Sequence, residues 1–362
     1  MSTRKAAAPR LSAEGFPRLD LPIKPPFPPM EAKRVETIPT GDGWQFEPKW
    51  DGFRAVVFRQ DDVVVIQSKA GQPLTRYFPE VVAACLVVKI KEFVTDGEIV
   101  VPVGGRLSFD DLLLRIHPAA SRVRKLAEST PAHYFVFDLL SAKSKSFVEL
   151  PIEERREKLE KFFESVKDGS LMKLSPATAD RTIATQWFDQ FGSAGLDGVM
   201  AKRIGEHYHS GDRDGMVKVK HLKTAECVVG GFRYGEGTRE VGSLLLGLYD
   251  EEKRLVYIGH TSSIRRDDRK DLTAQLEGLA GENPFEVRVP GGPSRWATAK
   301  SGEWEPVKPK LVCEVEYDYF SQGRFRHGSK FLRWRPEKKP QSCTMDQVVP
   351  SADPAKKVSG LF

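Results

Sequence analysis

The chain has 362 residues, 40% of them hydrophobic and 29% charged, with a formal net charge of +6. That length predicts two domains rather than one core, and the lack of any long apolar run excludes a helical membrane span. The basic excess is compatible with a polyanionic partner without demanding one.

Residues 1–20 are basic and lack the apolar core of a secretory signal. They are acid-poor and carry Arg and Ser, which leaves a transit peptide open; they are expected to form a flexible arm. A proline-rich, extended lead-in follows over 21–42. From Trp44 the pattern turns to strands, with a hairpin expected at Asp61-Asp62 between "FRAVVFRQ" and "VVVIQS". "FVTDGEIVVP" and "HYFVFDLL" read as further strands, "SFDDLLLRI" and "SRVRKLAES" as short helices. "PIEERREKLEKFFESV" opens on Pro151 and spaces Leu159, Phe162, Phe163 and Val166 as one apolar helix face. "LDGVMAKR" and "MVKVKH" are extended segments near an Asp/Gly-rich turn. From about Thr224 short strands alternate with turns around one helical insert with Leu272, Leu276 and Leu279 on its apolar stripe. Five strands and a helix fit a small Greek-key barrel of the oligonucleotide-binding (OB) type. The four cysteines, Cys85, Cys227, Cys313 and Cys343, have no zinc-ribbon spacing and are expected as neutral thiols in a reducing compartment.

In "EPKWDGFRA", strand alternation places Lys49 between Glu47 and Asp51 on one face and Trp50 on the other. A lone Lys-x-Asp-Gly is most simply a paired surface lysine. The ordered series after it, "SKAG", "DGEIV", "YFVFDLL", "LDGVMAK", "KVK" and "RFRHGSKFLRWRPEK", changes that reading. This set resembles the covalent nucleotidyltransferase superfamily and, within it, the ATP-dependent DNA ligases. Longer phrases such as "RIHPAASRVR", "KHLKTAECVV" and "GSLLLGLY" are similar to the small bacterial ligase C type, from about Leu21 to Met345.

The resemblance implies an α+β architecture. An adenylation (nucleotidyltransferase) domain of antiparallel sheets with flanking helices is expected over 21–223, an OB-fold β-barrel over 224–349 and a tail over 350–362, with the active cleft between the domains. It implies an enzyme that moves AMP from ATP to a lysine, then to a DNA 5′-phosphate, and lets the neighbouring 3′-hydroxyl displace it. Such chemistry at phosphorus is carried mainly by positioning and charge neutralisation. Lys49 matches the adenylated lysine. Asp51, Glu98 and Asp197 match acids near the ribose and a divalent metal, Mg²⁺ or Mn²⁺, which prefers oxygen ligands. Lys218 and Lys220 match the pair at the α-phosphate, Arg54 a contact to nucleotide and nick phosphate, and Phe137 the ring stacked on adenine. Core packing is the plain alternative for Phe137. Glu47 falls where the family contacts adenine, often through main chain, which leaves its side chain without a required partner. Lys202 closes its motif at the nucleotide. Arg335 and Lys338 match the late motif that orients pyrophosphate. Arg324, Arg326, Lys330 and Arg333 accompany it, either as a solvated basic surface or as contacts to DNA phosphates. Three departures stand out: Lys69 where relatives commonly carry arginine, which loses the bidentate grip at nucleotide or phosphate, Asp197 where many have glutamate, and Glu337 in place of aspartate.

The resemblance further implies nicked duplex DNA as substrate, short-gap repair beside a gap-filling polymerase, a monomer, and a cytoplasmic, nucleoid-associated place of work. The terminal Leu361-Phe362 suggests an apolar tail for a sliding clamp, against the simpler reading of a frayed end. RNA ligases and GTP-using capping enzymes share the superfamily, and a non-catalytic DNA-binding relative is a third reading. NAD-dependent ligases are disfavoured by the short chain and missing four-cysteine zinc module. Labelling of Lys49 from α-labelled ATP and not from GTP is expected; GTP-dependent labelling would select the capping reading.

Overall fold

The computed structural model describes residues 15–191, 196–291 and 303–348. Most of the N-terminal arm and the tail with Leu361-Phe362 lie outside the described residues. The chain divides into two compact units, which part in sequence between His221 and Leu222.

The first unit carries strands β1 (Lys33–Arg34), β2 (Trp44–Trp50), β3 (Phe53–Gln60), β4 (Val63–Ser68), β5 (Glu92–Val100), β6 (Pro102–Val103), β7 (Arg106–Leu107), β8 (His133–Ala142), β9 (Lys145–Ser146), β10 (Met172–Leu174), β11 (Leu196–Arg203) and β12 (Met216–Lys220). Its helices are α1 (Pro79–Leu86), α2 (Phe109–Leu114), α3 (Ala120–Ser129), α4 (Ile152–Phe163) and α5 (Arg181–Phe191). A six-stranded sheet runs β10-β8-β5-β3-β4 with β9 on β8, and a four-stranded sheet runs β1-β12-β11-β2.

The apolar run of β3 is continuous because both faces of its sheet are covered. Ala55 and Val57 pack with Phe78, Val81 and Cys85 at α1 and with Leu159 and Phe162 of α4. Val56 and Phe58 point the other way, onto Phe16, Leu19, Leu21 and Ile23. The arm expected over 1–20 is therefore anchored from Phe16, which is 1% exposed. The expected Asp61-Asp62 hairpin forms, with Gln60 opposite Val63 and Asp61 at φ 50°. The two sheets are tied at Trp50: its ring stacks on Phe135 at 4.0 Å, and its Nε1 donates to Ser175 Oγ at 2.9 Å.

The second unit has β13 (Lys223–Tyr234), β14 (Val241–Tyr249), β15 (Leu255–Thr261), β16 (Glu305–Tyr317), β17 (Phe320–Ser321), β18 (Arg324–Phe325) and β19 (Lys330–Trp334), with α6 (Arg269–Glu277) after β15. The sheet order β15-β14-β13-β16-β19 is the five-stranded, one-helix pattern anticipated from sequence. Among the described residues of this OB-type barrel no continuous ladder joins the two edge strands. The edges β15 and β19 approach through an isolated Thr261–Ser329 bridge and the bond from Phe331 N to Ser263 Oγ, 2.7 Å. The last strand is short, with five residues. All four cysteines are buried free thiols, as expected, and Cys227 sits directly opposite Cys313. Burial pushes the Cys85 thiol up to about 12.

Arg155 of α4 is the main polar fastening of the first unit. Its Nε and Nη2 hold Asp138 at 2.9 and 3.1 Å, and its Nη1 donates to the Leu150 carbonyl at 2.6 Å. Burial works against the Asp138 charge, and Arg155 and Lys202 overcome it, so its carboxyl titrates below the ordinary aspartate range. Breaking a buried pair leaves one charge uncompensated. Arg155→Ala is therefore expected to lose roughly 3–5 kcal/mol in urea denaturation at neutral pH. The wild-type contribution is present above the unfolded-state pKa and disappears as pH falls through the lowered folded one.

Candidate active site

Strand register assembles the lysines. β11 lies between β2 and β12, with Lys49 opposite Gly198 and Gly198 opposite Lys220. Glu47, Met200 and Lys218 form the next row on the same face. Gly198 leaves the space between Lys49 and Lys220 empty of side chain. It takes φ 143°, and a Cβ there would lie 1.9 Å from the Val219 carbonyl oxygen, so only glycine fits. The pairing of β2 with β11 slips between Leu196 and Gly198, which leaves Asp197 as an extra residue at a bulge. Its Oδ2 accepts Lys49 Nζ at 2.6 Å and Lys220 Nζ at 3.3 Å. Lys218 titrates below the ordinary lysine range, first from burial and then from Lys49, Lys220 and Lys69.

The alternation read from sequence holds for the backbone but not for the partners. Lys49 pairs with Asp197, while Glu47 is buried and binds Lys202 Nζ and Gln45 Nε2, both at 2.8 Å. The Glu47 side chain is thus engaged through Oε1. Lys202 also lies 4.8 Å from the centre of the Phe137 ring, and Arg54 covers the same ring at 4.7 Å. Phe137 sits at a slip in the β5–β8 pairing and stays partly exposed, outside the buried cores. Its setting is that of a ring flanked by cations, and the core-packing alternative fails.

β3 and β5 place Arg54 opposite Glu98. Burial pushes the Glu98 carboxyl up to about 7 against the pull of Lys49 and Arg54, and Asp51 adds to the rise. Arg54 grips Asp96 with Nε and Nη2, both at 2.6 Å. Lys69 is exposed and pairs with Glu31 at 3.2 Å.

In the second unit the late basic motif is internally paired. Arg335 bonds Glu226, Glu314 at 3.2 Å and Glu337 at 2.5 Å; Lys338 bonds Glu226 at 2.8 Å, and Arg333 bonds Glu314 at 2.7 Å. Glu226 and Glu314 face each other across β13 and β16, so one arginine bridges two like charges. Arg324 and Lys330 are exposed, and Arg326 lies 5.3 Å from the Tyr319 ring centre.

Sequence reading passed over Asp96, Asp138, Arg155, Tyr208, Glu226 and Glu314. Asp96 carried a signal, since it directly precedes the Gly-Glu of "DGEIV". Tyr208 carried none: it meets Asp96 across 112 residues of chain.

For a divalent cation, Asp51, Glu98 and Asp197 are hard carboxylate donors, but among the described residues their oxygens do not gather into one three-carboxylate cluster, so an ion would take one or two of them at a time. That donor chemistry fits Mg²⁺ or Mn²⁺, which take one or two carboxylates together with substrate phosphates.

The family model described as ATP dependent DNA ligase domain matches residues 29–220, and that described as ATP dependent DNA ligase C terminal region matches 237–338. DNA ligase C1 of Mycolicibacterium smegmatis is 45% identical over 340 residues, 91% of this chain and 96% of its own. DNA ligase C of Mycobacterium tuberculosis is 41% identical over 345 residues, with the same shares of the two chains. A solved Lig E DNA ligase structure, 16% identical, shares the fold with TM-score 0.56 over 85% of this chain and 99% of that one.

Glu98 binds its proton more tightly in the folded chain than in the unfolded one, so its contribution to stability falls as pH rises from 4.5 through about 7. Glu98→Gln removes that loss. Guanidinium melts of the ligand-free protein are expected to show the variant gaining on wild type between pH 5 and pH 8, by up to roughly 3 kcal/mol. A pH-independent difference would mean that Glu98 titrates normally.

Proposed function

This chain belongs to the ATP-dependent DNA ligases, and we propose that Lys49 is the residue it adenylates. The observation that carries this reading is the shared sheet face that gathers Lys49, Lys218 and Lys220, with Asp197 bound to Lys49 and Lys220.

The enzyme uses ATP to seal nicks in duplex DNA, and its residues divide the work as follows. Lys49 Nζ gives up its proton and attacks the α-phosphorus; a P–N bond forms, and the bond to pyrophosphate breaks with its electrons leaving on that group. An oxygen of the DNA 5′-phosphate then attacks the same phosphorus and frees the lysine. Finally the 3′-hydroxyl attacks the 5′-phosphorus and AMP departs. Lys218 and Lys220 hold the α-phosphate, and Asp197 holds Lys49 in place until phosphate arrives. Phe137 stacks on adenine, with the Glu47–Lys202 pair at the base edge. Asp51 and Glu98 face the ribose, and Arg54 meets the nick phosphate with Lys69 beside it. Arg335 and Lys338 orient pyrophosphate, and Arg324, Arg326 and Arg333 meet DNA phosphates. A divalent ion held by one or two of Asp51, Glu98 and Asp197 would neutralise phosphate charge.

In the cell we assign it to short-gap repair in the cytoplasm, as a monomer beside a gap-filling polymerase. The described residues include no helix long and apolar enough to cross a membrane. A clamp contact through Leu361-Phe362 is tested by pull-down with and without those two residues.

Lys49→Ala is expected to give no AMP adduct by mass spectrometry after incubation with ATP and Mg²⁺, yet still to seal a nick that is already adenylated. Loss of both activities in a folded variant would remove Lys49 from this role. Nick affinity is expected to fall steeply with NaCl, because each phosphate contact releases counterions; a flat response would remove the basic contacts.

A further inference from the structure

Arg54 belongs to a closed ring of hydrogen bonds. Its Nε and Nη2 donate to Asp96, and Nη2 also donates to the Met30 carbonyl at 3.1 Å. Tyr208 completes the ring: its hydroxyl donates to Asp96 Oδ2 at 2.5 Å and accepts from Met30 N at 2.9 Å. Asp96 is fully buried and Tyr208 is 4% exposed. Of the five N–H groups of the guanidinium, the ring engages those on Nε and Nη2 and leaves Nη1 to offer to a ligand, while the flat face rests over Phe137.

Tyr208 is itself firmly held. Its amide donates to the Val148 carbonyl at 2.8 Å, Arg155 lies 5.6 Å from its ring centre, and Phe27 stacks on it at 6.1 Å. Burial, and then Asp96, raise its phenol well above the ordinary tyrosine range, which keeps it a neutral donor. It stands in the segment between β11 and β12, the strands that carry Asp197, Lys218 and Lys220. A buried carboxylate shared by two donors fixes the plane of the bidentate arginine it binds.

We propose that Tyr208 is a positioning residue for ligation, acting through Asp96 and the Met30 peptide to aim Arg54 Nη1 at the nick phosphate. The proposal rests on the phosphate role given above to Arg54. Phe at 208 keeps the ring and removes one donor to Asp96 and the acceptor for Met30 N. The guanidinium plane is then free to tilt, and small misplacements of a positioning group are costly in rate.

The test is a double-mutant cycle on the full chain, read as single-turnover AMP transfer and sealing on a nicked duplex, with lysine adenylation from ATP and thermal melting measured alongside. Tyr208→Phe is expected to slow transfer to the nick by roughly 10- to 100-fold and to change adenylation by less. In an Arg54→Ala background it is expected to add nothing, since it acts through that arginine. Asp96→Asn approaches the same link from the other side and should show the same lack of additivity, which keeps the test usable if Tyr208→Phe is poorly folded. If Arg54→Ala is impaired while Tyr208→Phe transfers normally, or if the two losses multiply, the positioning role is overturned. If Arg54→Ala itself seals like wild type, the phosphate role of Arg54 fails first, and the proposal falls with it.

Discussion

The contact between Lys49 and Asp197 is the constraint on which the site depends. In the role proposed for it, the Lys49 amine has to be held at one point among charges and yet be released to phosphorus. The protein meets this by geometry more than by burial, since both groups keep access to solvent, at 19% and 13% exposure. A bulge in β11 brings Asp197 to the lysine, and Gly198 clears the face between Lys49 and Lys220. In the role proposed for Lys49, incoming phosphate would compete with Asp197 for the same cations, which would couple nucleotide binding to release of the amine.

Behind that exposed face stands a rigid, buried polar layer. Asp96 and Asp138 are almost fully buried, each holding an arginine in two hydrogen bonds, and Lys202 reaches toward Asp138 at 4.0 Å. Such a layer contributes little net stability against apolar packing, but breaking one half of it is costly. Its effect here is to fix directions: Asp96 holds Arg54, and Glu47 with Asp138 holds Lys202, so that both cations turn onto the Phe137 ring. The Trp50–Phe135 stack then locks the strand of Lys49 to the sheet that carries Glu98.

Much of this is legible in the sequence, for a physical reason. Lys49, Lys218 and Lys220 sit in short strands, where period-two alternation fixes which side chains share a face. The hairpin at Asp61 and helix α4 follow from turn chemistry and apolar spacing. What escapes is whatever depends on meetings between distant segments or on slips in register. The bulge that turns Asp197 toward Lys49, and the one that leaves Phe137 between two cations, have no local signature. Nor does the pairing of Tyr208 with Asp96. Helices α1 and α5 also go unread: α1 is short and hydrophobic on most sides, though Pro79 marks its start, and α5 begins where Asp180 Oδ1 accepts Thr182 N at 2.7 Å. The OB-type strand set follows from the count and spacing of short strands, whereas how far its edges join is set by contacts between distant segments.

The paired state of the late basic motif bears on how charge should be read in this enzyme. Arg333, Arg335 and Lys338 look like free cations in sequence, but Glu226, Glu314 and Glu337 meet them with three negative charges. Formal charge therefore overstates the attraction this motif offers to a distant polyanion. It does not forbid engagement. Arg333 and Glu337 are largely exposed, and exposed ion pairs are weakly held because water screens them. A triphosphate or pyrophosphate presents several charges at once and can displace them singly. Glu226 holds both Arg335 and Lys338, and in the role proposed for them a phosphate group would take its place as their partner.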